Sequence, residues 1–230
     1  MNDEPLTIVA LGDSTTAVDD WSGRGVEVYA DLLPGALAVC GIRARVLNAG
    51  ITDTTTREAR ERLDRDVRAF SPDVVVIQFG INDSWIDADM GRREPRLTRD
   101  EYRDNLRYLV RTPKGDGTVV VLMTPNPMRW DDPVYIDLFE KTPGLLDTRS
   151  ERGIDRLLDL YVEDARDVAR DEAVPLVDVQ RAFEDYRSEP GQSISDLLIE
   201  GDGIHPNTAG QRLVCRLLAA AIADLVQERP

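Results

Sequence analysis

Leu6-Thr7-Ile8-Val9-Ala10-Leu11-Gly12-Asp13-Ser14 is an apolar run closed by a glycine, an acid and a hydroxyl. A strand buried on both faces reads as continuously apolar rather than alternating. Four further runs of this kind follow, at residues 44–48, 73–79, 118–124 and 175–179. Helix-period stretches separate them, at residues 26–40, 55–70, 98–111 and 150–170, and the last strand is followed by residues 180–186 and 206–227. Strand and helix in repeated alternation imply an α/β fold, a parallel sheet covered by helices on both sides. The 230 residues fit one domain spanning 1–230, with no internal repeat, linker or low-complexity tract.

Local signals refine this pattern. Pro34 should kink or split the first helix. Pro206 suits the first turn of the terminal one. The charged stretch from Arg57 to Leu63 carries a sparse apolar stripe, as in a helix lying between sheet and solvent. Two long connections, 84–97 and 125–149, leave the carboxyl ends of the third and fourth strands, where open α/β sheets bind ligands. They carry Trp85 in the first and Trp130, Tyr135 and Phe139 in the second. Those rings suit loop anchoring and substrate contact equally.

Composition narrows the function. Hydrophobic residues make up 42% and charged residues 31%, as in a soluble globular protein, and no apolar run approaches a membrane span. The formal charge of −15 works against nucleic-acid or anionic-membrane partners. Lys114 and Lys141 are the only lysines, which suits either a high-salt cytoplasm or a GC-rich genome. The acidic start, residues 1–5, has no signal-peptide character, so the chain as written reads as cytoplasmic, with a secreted mature form as the alternative. Cys40 and Cys215 are too few for a disulfide framework or metal cluster, and buried free thiols are expected, with a bridge the lesser alternative. Oligomeric state leaves no trace in the sequence.

The chemistry rests on few residues. His205 is the only histidine, so a histidine base near neutral pH can only be this one. Asp202, three residues earlier, can hold the ring through Nδ1 while Nε2 faces outward. Ser14 lies at the carboxyl end of the first strand. Serine, histidine and aspartate are the parts of nucleophilic acyl transfer. The oxyanion of such a reaction needs fixed donors, and Gly50, Asn82 and the Ser14 N–H stand at strand ends to supply them. Each motif alone also reads as a turn or cap. Their common placement along one sheet edge is what separate turns do not predict.

Gly12-Asp13-Ser14, Gly50, Gly80-Ile81-Asn82-Asp83 and Asp202-Gly203-Ile204-His205 resemble, in order and spread, the four blocks of the SGNH hydrolases, or GDSL-type esterases and lipases. The resemblance spans residues 6–225. It implies a flavodoxin-like three-layer α/β/α fold with a five-stranded parallel sheet, and a serine esterase without metal or other cofactor. It makes Ser14 the nucleophile, His205 the base and Asp202 its orienter, with Gly50, Asn82 and the Ser14 amide as oxyanion hole. Thr15 follows the serine where the family often has Leu or Ile, which points away from the lipase branch. Trp85, Arg129 and Trp130, with Arg92 and Arg93, suit a sugar, so the expected substrate is a small-molecule or oligosaccharide ester losing acetyl or another short acyl group. A short-chain acyl esterase, lysophospholipase or thioesterase, its groove lined by Leu138, Phe139, Leu145 and Leu146, is the competing reading. A non-catalytic binding protein on the same fold is the remote one. The chain lacks a Gly-x-Ser-x-Gly elbow, a nucleotide-binding glycine loop and zinc ligands. Asp19-Asp20 and Asp131-Asp132 read as solvated loop charge.

Overall fold

A computed structural model describes residues 4–17, 25–129 and 155–227. Five parallel strands form one sheet in the order β2-β1-β3-β4-β5. They are β1 (Leu6–Gly12), β2 (Ala44–Gly50), β3 (Val74–Gln78), β4 (Val119–Met123) and β5 (Leu176–Val177). The central strands β1, β3 and β4 are almost wholly buried, and β2 at one edge is partly exposed. Hence the first, third and fourth runs lack polar alternation: they have no solvent face.

Helices α1 (Tyr29–Val39), α6 (Val179–Ser188) and α7 (Thr208–Gln227) cover one face through Leu33, Leu37, Phe183, Leu218 and Ile222. Helices α2 (Thr56–Asp66), α4 (Arg99–Gly115) and α5 (Asp155–Asp171) cover the other through Leu63, Leu106, Leu109 and Tyr161. The single turn α3 (Ile81–Ser84) caps the end of β3. Each large apolar side chain fully removed from water contributes about 1.5–3 kcal/mol, and two such layers hold the sheet between them. The flavodoxin-like architecture is therefore present. Among the described residues no helix is long and apolar enough to cross a membrane.

Several local expectations shift. Pro34 does not split α1, which runs unbroken from Tyr29 to Val39. The buried Leu33 and Leu37 anchor it on both sides of the proline, so packing outweighs one lost backbone bond. β5 is two residues long, because the Asp178 carboxylate accepts the Arg181 N–H at 3.0 Å and starts α6 at Val179. The terminal helix begins at Thr208 rather than Pro206. Asn207 Oδ1 accepts the N–H groups of Ala209 and Gly210 at 2.8 and 3.1 Å, while Pro206 pairs with Leu198 in a short antiparallel bridge. Cys215 is buried as expected, but Cys40, at the end of α1, is exposed; both are free thiols.

Two buried polar groups bind the strand ends to the layer around α2. Arg62, 6% exposed, donates from Nη1 to the Ala49 carbonyl at 2.6 Å and from Nη2 to the Gly12 carbonyl at 2.9 Å. One guanidinium thus spans the carboxyl ends of β1 and β2, and Asp66 neutralises it at 3.0 Å. Asp83, fully buried, accepts the Thr56 N–H at 2.9 Å and the Thr56 hydroxyl at 2.5 Å. Its Oδ2 has no partner among the described residues. Burial pushes the Asp83 carboxyl up to about 7, with a smaller push from Asp13 and opposition from the two Thr56 bonds.

Arg62→Met keeps the side-chain bulk but strands both carbonyls. It should lower stability by about 2–4 kcal/mol, read as a drop in Tm of roughly 5–15 °C. Arg62→Lys, a point charge that cannot fork across both, should recover only part of this. For Asp83 the folded pKa lies above the unfolded one, so the folded state holds the extra proton between about pH 4 and pH 7. Stability from this group is therefore present at acid pH, declines as pH rises through that window, and is gone above about 7. Asp83→Asn removes the dependence, so its Tm relative to wild type should rise by roughly 5 °C or more between pH 5 and pH 8. A constant offset across that range would contradict the assignment.

Candidate active site

β1 ends at Gly12, and the chain turns sharply: the Asp13 carbonyl accepts the N–H groups of Thr16 and Ala17 at 3.1 and 3.0 Å. A Cβ on Gly12 would lie 2.1 Å from Thr16 Oγ1, so only glycine permits so tight a turn. Asp13 is buried and points inward, accepting the Thr15 N–H at 3.0 Å and lying 2.9 Å from the Thr15 hydroxyl. Burial raises its carboxyl, against the Thr15 bonds and the charge of His205. Thr15 also reaches Gln78 Oε1 at 3.1 Å. The residue that departs from the family's usual Leu or Ile therefore serves the turn. Ser14 is left at its crest.

At the other end of the chain, Gly201 and Gly203 adopt left-handed backbone (φ +74° and +70°) on either side of Asp202. That double bend folds the carboxylate back onto its own loop. Asp202 Oδ1 accepts the N–H groups of Ile204 and His205, each at 2.8 Å, and both carboxylate oxygens lie 3.0 Å from His205 Nδ1. Burial raises the Asp202 carboxyl, but the His205 hydrogen bond and charge and the two N–H donors outweigh it, and the net shift is downward. An ionised carboxylate only accepts, so the proton between the pair sits on Nδ1 and the Nε2 lone pair faces outward. Ser14 Oγ lies 2.8 Å from that Nε2, across 191 positions of sequence. All three side chains are largely shielded: Ser14 is buried, and the other two are about one-sixth exposed or less.

The contact depends on residues that carried no sequence signal. Gln211 on α7 donates from Nε2 to the Thr15 carbonyl at 3.0 Å and accepts the Tyr29 N–H at 2.9 Å. Asn126, after β4, donates to the Ile204 carbonyl at 2.8 Å, and the Arg129 N–H donates to the Gly203 carbonyl at 2.7 Å. A glutamine in an apolar helix and an asparagine in a loop are common enough to pass unnoticed. Only the fold shows that they dock the histidine loop against the serine turn.

Asn82, on the turn after β3, opens onto the same cavity as Ser14 and His205. Its Nδ2 donates one hydrogen to the Thr54 carbonyl at 3.1 Å, which orients the amide and leaves a second hydrogen. Gly50 closes β2 beside Gly12, but its N–H donates to Asn48 Oδ1 at 2.9 Å. An oxyanion role for Gly50 requires that bond to open. The glycine itself is demanded by packing, since a Cβ there would meet the Ala17 nitrogen at 2.4 Å.

The cavity measures about 320 Å³ and is lined by Ser14, Asn82 and His205 with Thr52, Asp53, Ile81, Trp85, Arg96 and Ile204. Trp85 therefore lines the cavity. Arg129 does not: it borders a neighbouring groove with Val26, Asp196 and Asn207, and reaches the histidine loop through its backbone. Trp130, Tyr135, Leu138, Phe139, Leu145, Leu146 and the acidic pairs 19–20 and 131–132 lie outside the described residues. Arg96, rather than Arg92 or Arg93, enters the pocket wall, a choice the arginine-rich loop sequence did not disclose. Among the described residues no cluster of His, Cys, Asp or Glu has the makings of a metal site.

A serine at the crest of a tight turn, a carboxylate-held imidazole and an oriented amide share one cavity, an arrangement that suits acyl transfer. The family model of the GDSL-like lipase/acylhydrolases matches residues 10–213. An acetylxylan esterase of Geobacillus stearothermophilus is 31% identical over 196 residues, 84% of this chain and 78% of that protein. A crystal structure of the acetylxylan esterase Axe2 from the same organism superposes with a TM-score of 0.72 at 27% identity, covering 94% of each chain. A lipase/acylhydrolase from Enterococcus faecalis shares the fold with a TM-score of 0.72 over 96% of each chain, at 24% identity. With the parallel sheet bringing all four sequence blocks to one edge, the chain belongs to the GDSL-like lipase/acylhydrolase family and is a carboxylic ester hydrolase.

Proposed function

We propose that the protein removes acetyl or similarly short acyl groups from carbohydrate, with Ser14 as nucleophile, His205 as general base and acid, and Asp202 as orienter. The observation that carries this reading is the relay from Asp202 to His205 Nδ1 at 3.0 Å and from Nε2 to Ser14 Oγ at 2.8 Å. Ser14 Oγ attacks the ester carbonyl while its proton passes to Nε2. The C–O π pair moves onto oxygen, which the Ser14 N–H and the second Asn82 Nδ2 hydrogen stabilise, joined by the Gly50 N–H once Asn48 releases it. The carbonyl re-forms, the C–O bond to the alcohol breaks, and Nε2 returns its proton to that oxygen. A water deprotonated by the same imidazole then cleaves the acyl-serine.

Support for the substrate comes from two sides. The pocket is near the lower limit of small-molecule sites and mixes the Trp85 ring with the charged Arg96 and Asp53, unlike a long acyl groove. The similar acetylxylan esterase lends weight to an acetylated sugar.

Ser14→Ala and His205→Ala should each lower kcat by roughly 10⁴–10⁶-fold, with a smaller loss for Asp202→Ala. Asn82→Ala should cost about 10²–10³-fold in kcat with little change in KM. Wild-type rates in any of these variants would remove that residue from the scheme. For the substrate, p-nitrophenyl acetate should be turned over at least tenfold faster than the octanoate, and acetylated xylooligosaccharides should be deacetylated. A preference for octanoate would favour the acyl esterase or lysophospholipase reading instead.

A further inference from the structure

Asp53 lines the reaction cavity beside Ser14, Asn82 and His205, yet no step above uses it. Its backbone is left-handed, at φ +59°, a conformation that favours glycine. The chain tolerates an acid there and then fixes it. Arg96 Nη1 binds Asp53 Oδ1, and Arg96 is itself locked by Asp87: Nε lies 3.0 and 3.2 Å from the two Asp87 oxygens, and Nη2 donates to Oδ1 at 2.8 Å. Arg96 and Asp87 are each only 23% exposed, whereas Asp53 is 69% exposed. A well-packed arginine therefore holds an open carboxylate at the cavity through Oδ1, and Asp53 Oδ2 has no hydrogen bond among the described residues. Two acids around one guanidinium leave this wall with a net negative charge.

We infer that Asp53 is a specificity residue that accepts hydrogen bonds from hydroxyl groups on the alcohol part of the ester. A fixed, solvent-facing carboxylate is an acceptor only, and charge-assisted bonds from hydroxyls are among the stronger polar contacts. An acetyl group carries no hydroxyl, so the partner belongs to the alcohol. The same negative wall disfavours alcohols bearing phosphate or carboxylate. Neutral polyols and sugars fit, and Trp85 lines the same cavity as an apolar surface for their ring carbons. The inference rests on the proposal that Ser14 is the reacting centre, and it gives that site its preference for hydroxylated alcohols.

The test compares kcat/KM on ethyl acetate, glycerol monoacetate and a methyl xyloside monoacetate. Asp53→Gly keeps the left-handed turn without strain, and Asp53→Asn keeps one acceptor oxygen in the same conformation. Asp53→Gly should reduce kcat/KM for both hydroxylated esters about tenfold or more relative to ethyl acetate, and Asp53→Asn should lose less. Equal losses on all three esters would overturn the inference, making Asp53 a brace for the Thr54 carbonyl and hence for Asn82. Unchanged ratios with unchanged rates would overturn it as well. The carbohydrate reading fails separately, if wild type handles the xyloside ester no better than ethyl acetate. The glycerol ester then still decides the role of Asp53.

Discussion

The 2.8 Å contact between Ser14 Oγ and His205 Nε2 joins the two ends of the chain, and the candidate site exists only because the last helix is seated against the first strand's turn. Apolar packing of α7 on α1 brings the ends near one another. It does not fix them to a fraction of an ångström. That falls to Gln211, whose amide links the Thr15 carbonyl to the Tyr29 N–H in a buried setting where neither group has water as an alternative. A buried polar bond costs little when satisfied and much when broken, so it selects one seating of the helix over near neighbours. The Asn126 bond to the Ile204 carbonyl does the same for the histidine loop.

The strand ends are held by a comparable logic. A parallel sheet delivers Gly12, Gly50 and Gln78 to one level, as the register of β1 with β2 and β3 shows. Strand ends fray unless their last carbonyls find donors, and Arg62 supplies two at once. Behind Asn82, Asp83 ties the next turn to Thr56, and Arg96 ties Asp53 to Asp87. The segment after β2 is thus laced to the segment after β3 at three points, counting the Asn82 bond to Thr54. Charge is buried here for geometry rather than for stability, since desolvation of Asp83 opposes folding at neutral pH.

The same apparatus explains which sequence expectations shift. Gly50 reads from sequence as an oxyanion donor, yet its lack of a side chain is required by the backbone of Thr16 and Ala17, and its N–H is held by Asn48. Thr15 reads as a departure from the family pattern, and it turns out to brace Asp13 against Gln78. Arg129 has the right chemistry for a sugar, and it lines the neighbouring groove beside Asp196 and Asn207. Pro34 and Pro206 follow the same lesson in the helices, where packing and the Asn207 cap override local propensity.

Sequence alone determined the alternation of buried strands and amphipathic helices, because burial on both faces forces continuous apolar runs and a helix period follows from covering them. It also narrowed the candidate chemistry, since a chain with one histidine has one candidate imidazole. Tertiary structure decided the geometry. Only the folded backbone aligns Nε2 with Ser14 Oγ, turns the Arg96 guanidinium between two acids, and pairs the Gly50 N–H with Asn48 Oδ1. Periodicity is a local consequence of burial, whereas the direction of a side chain is set by neighbours far away in sequence.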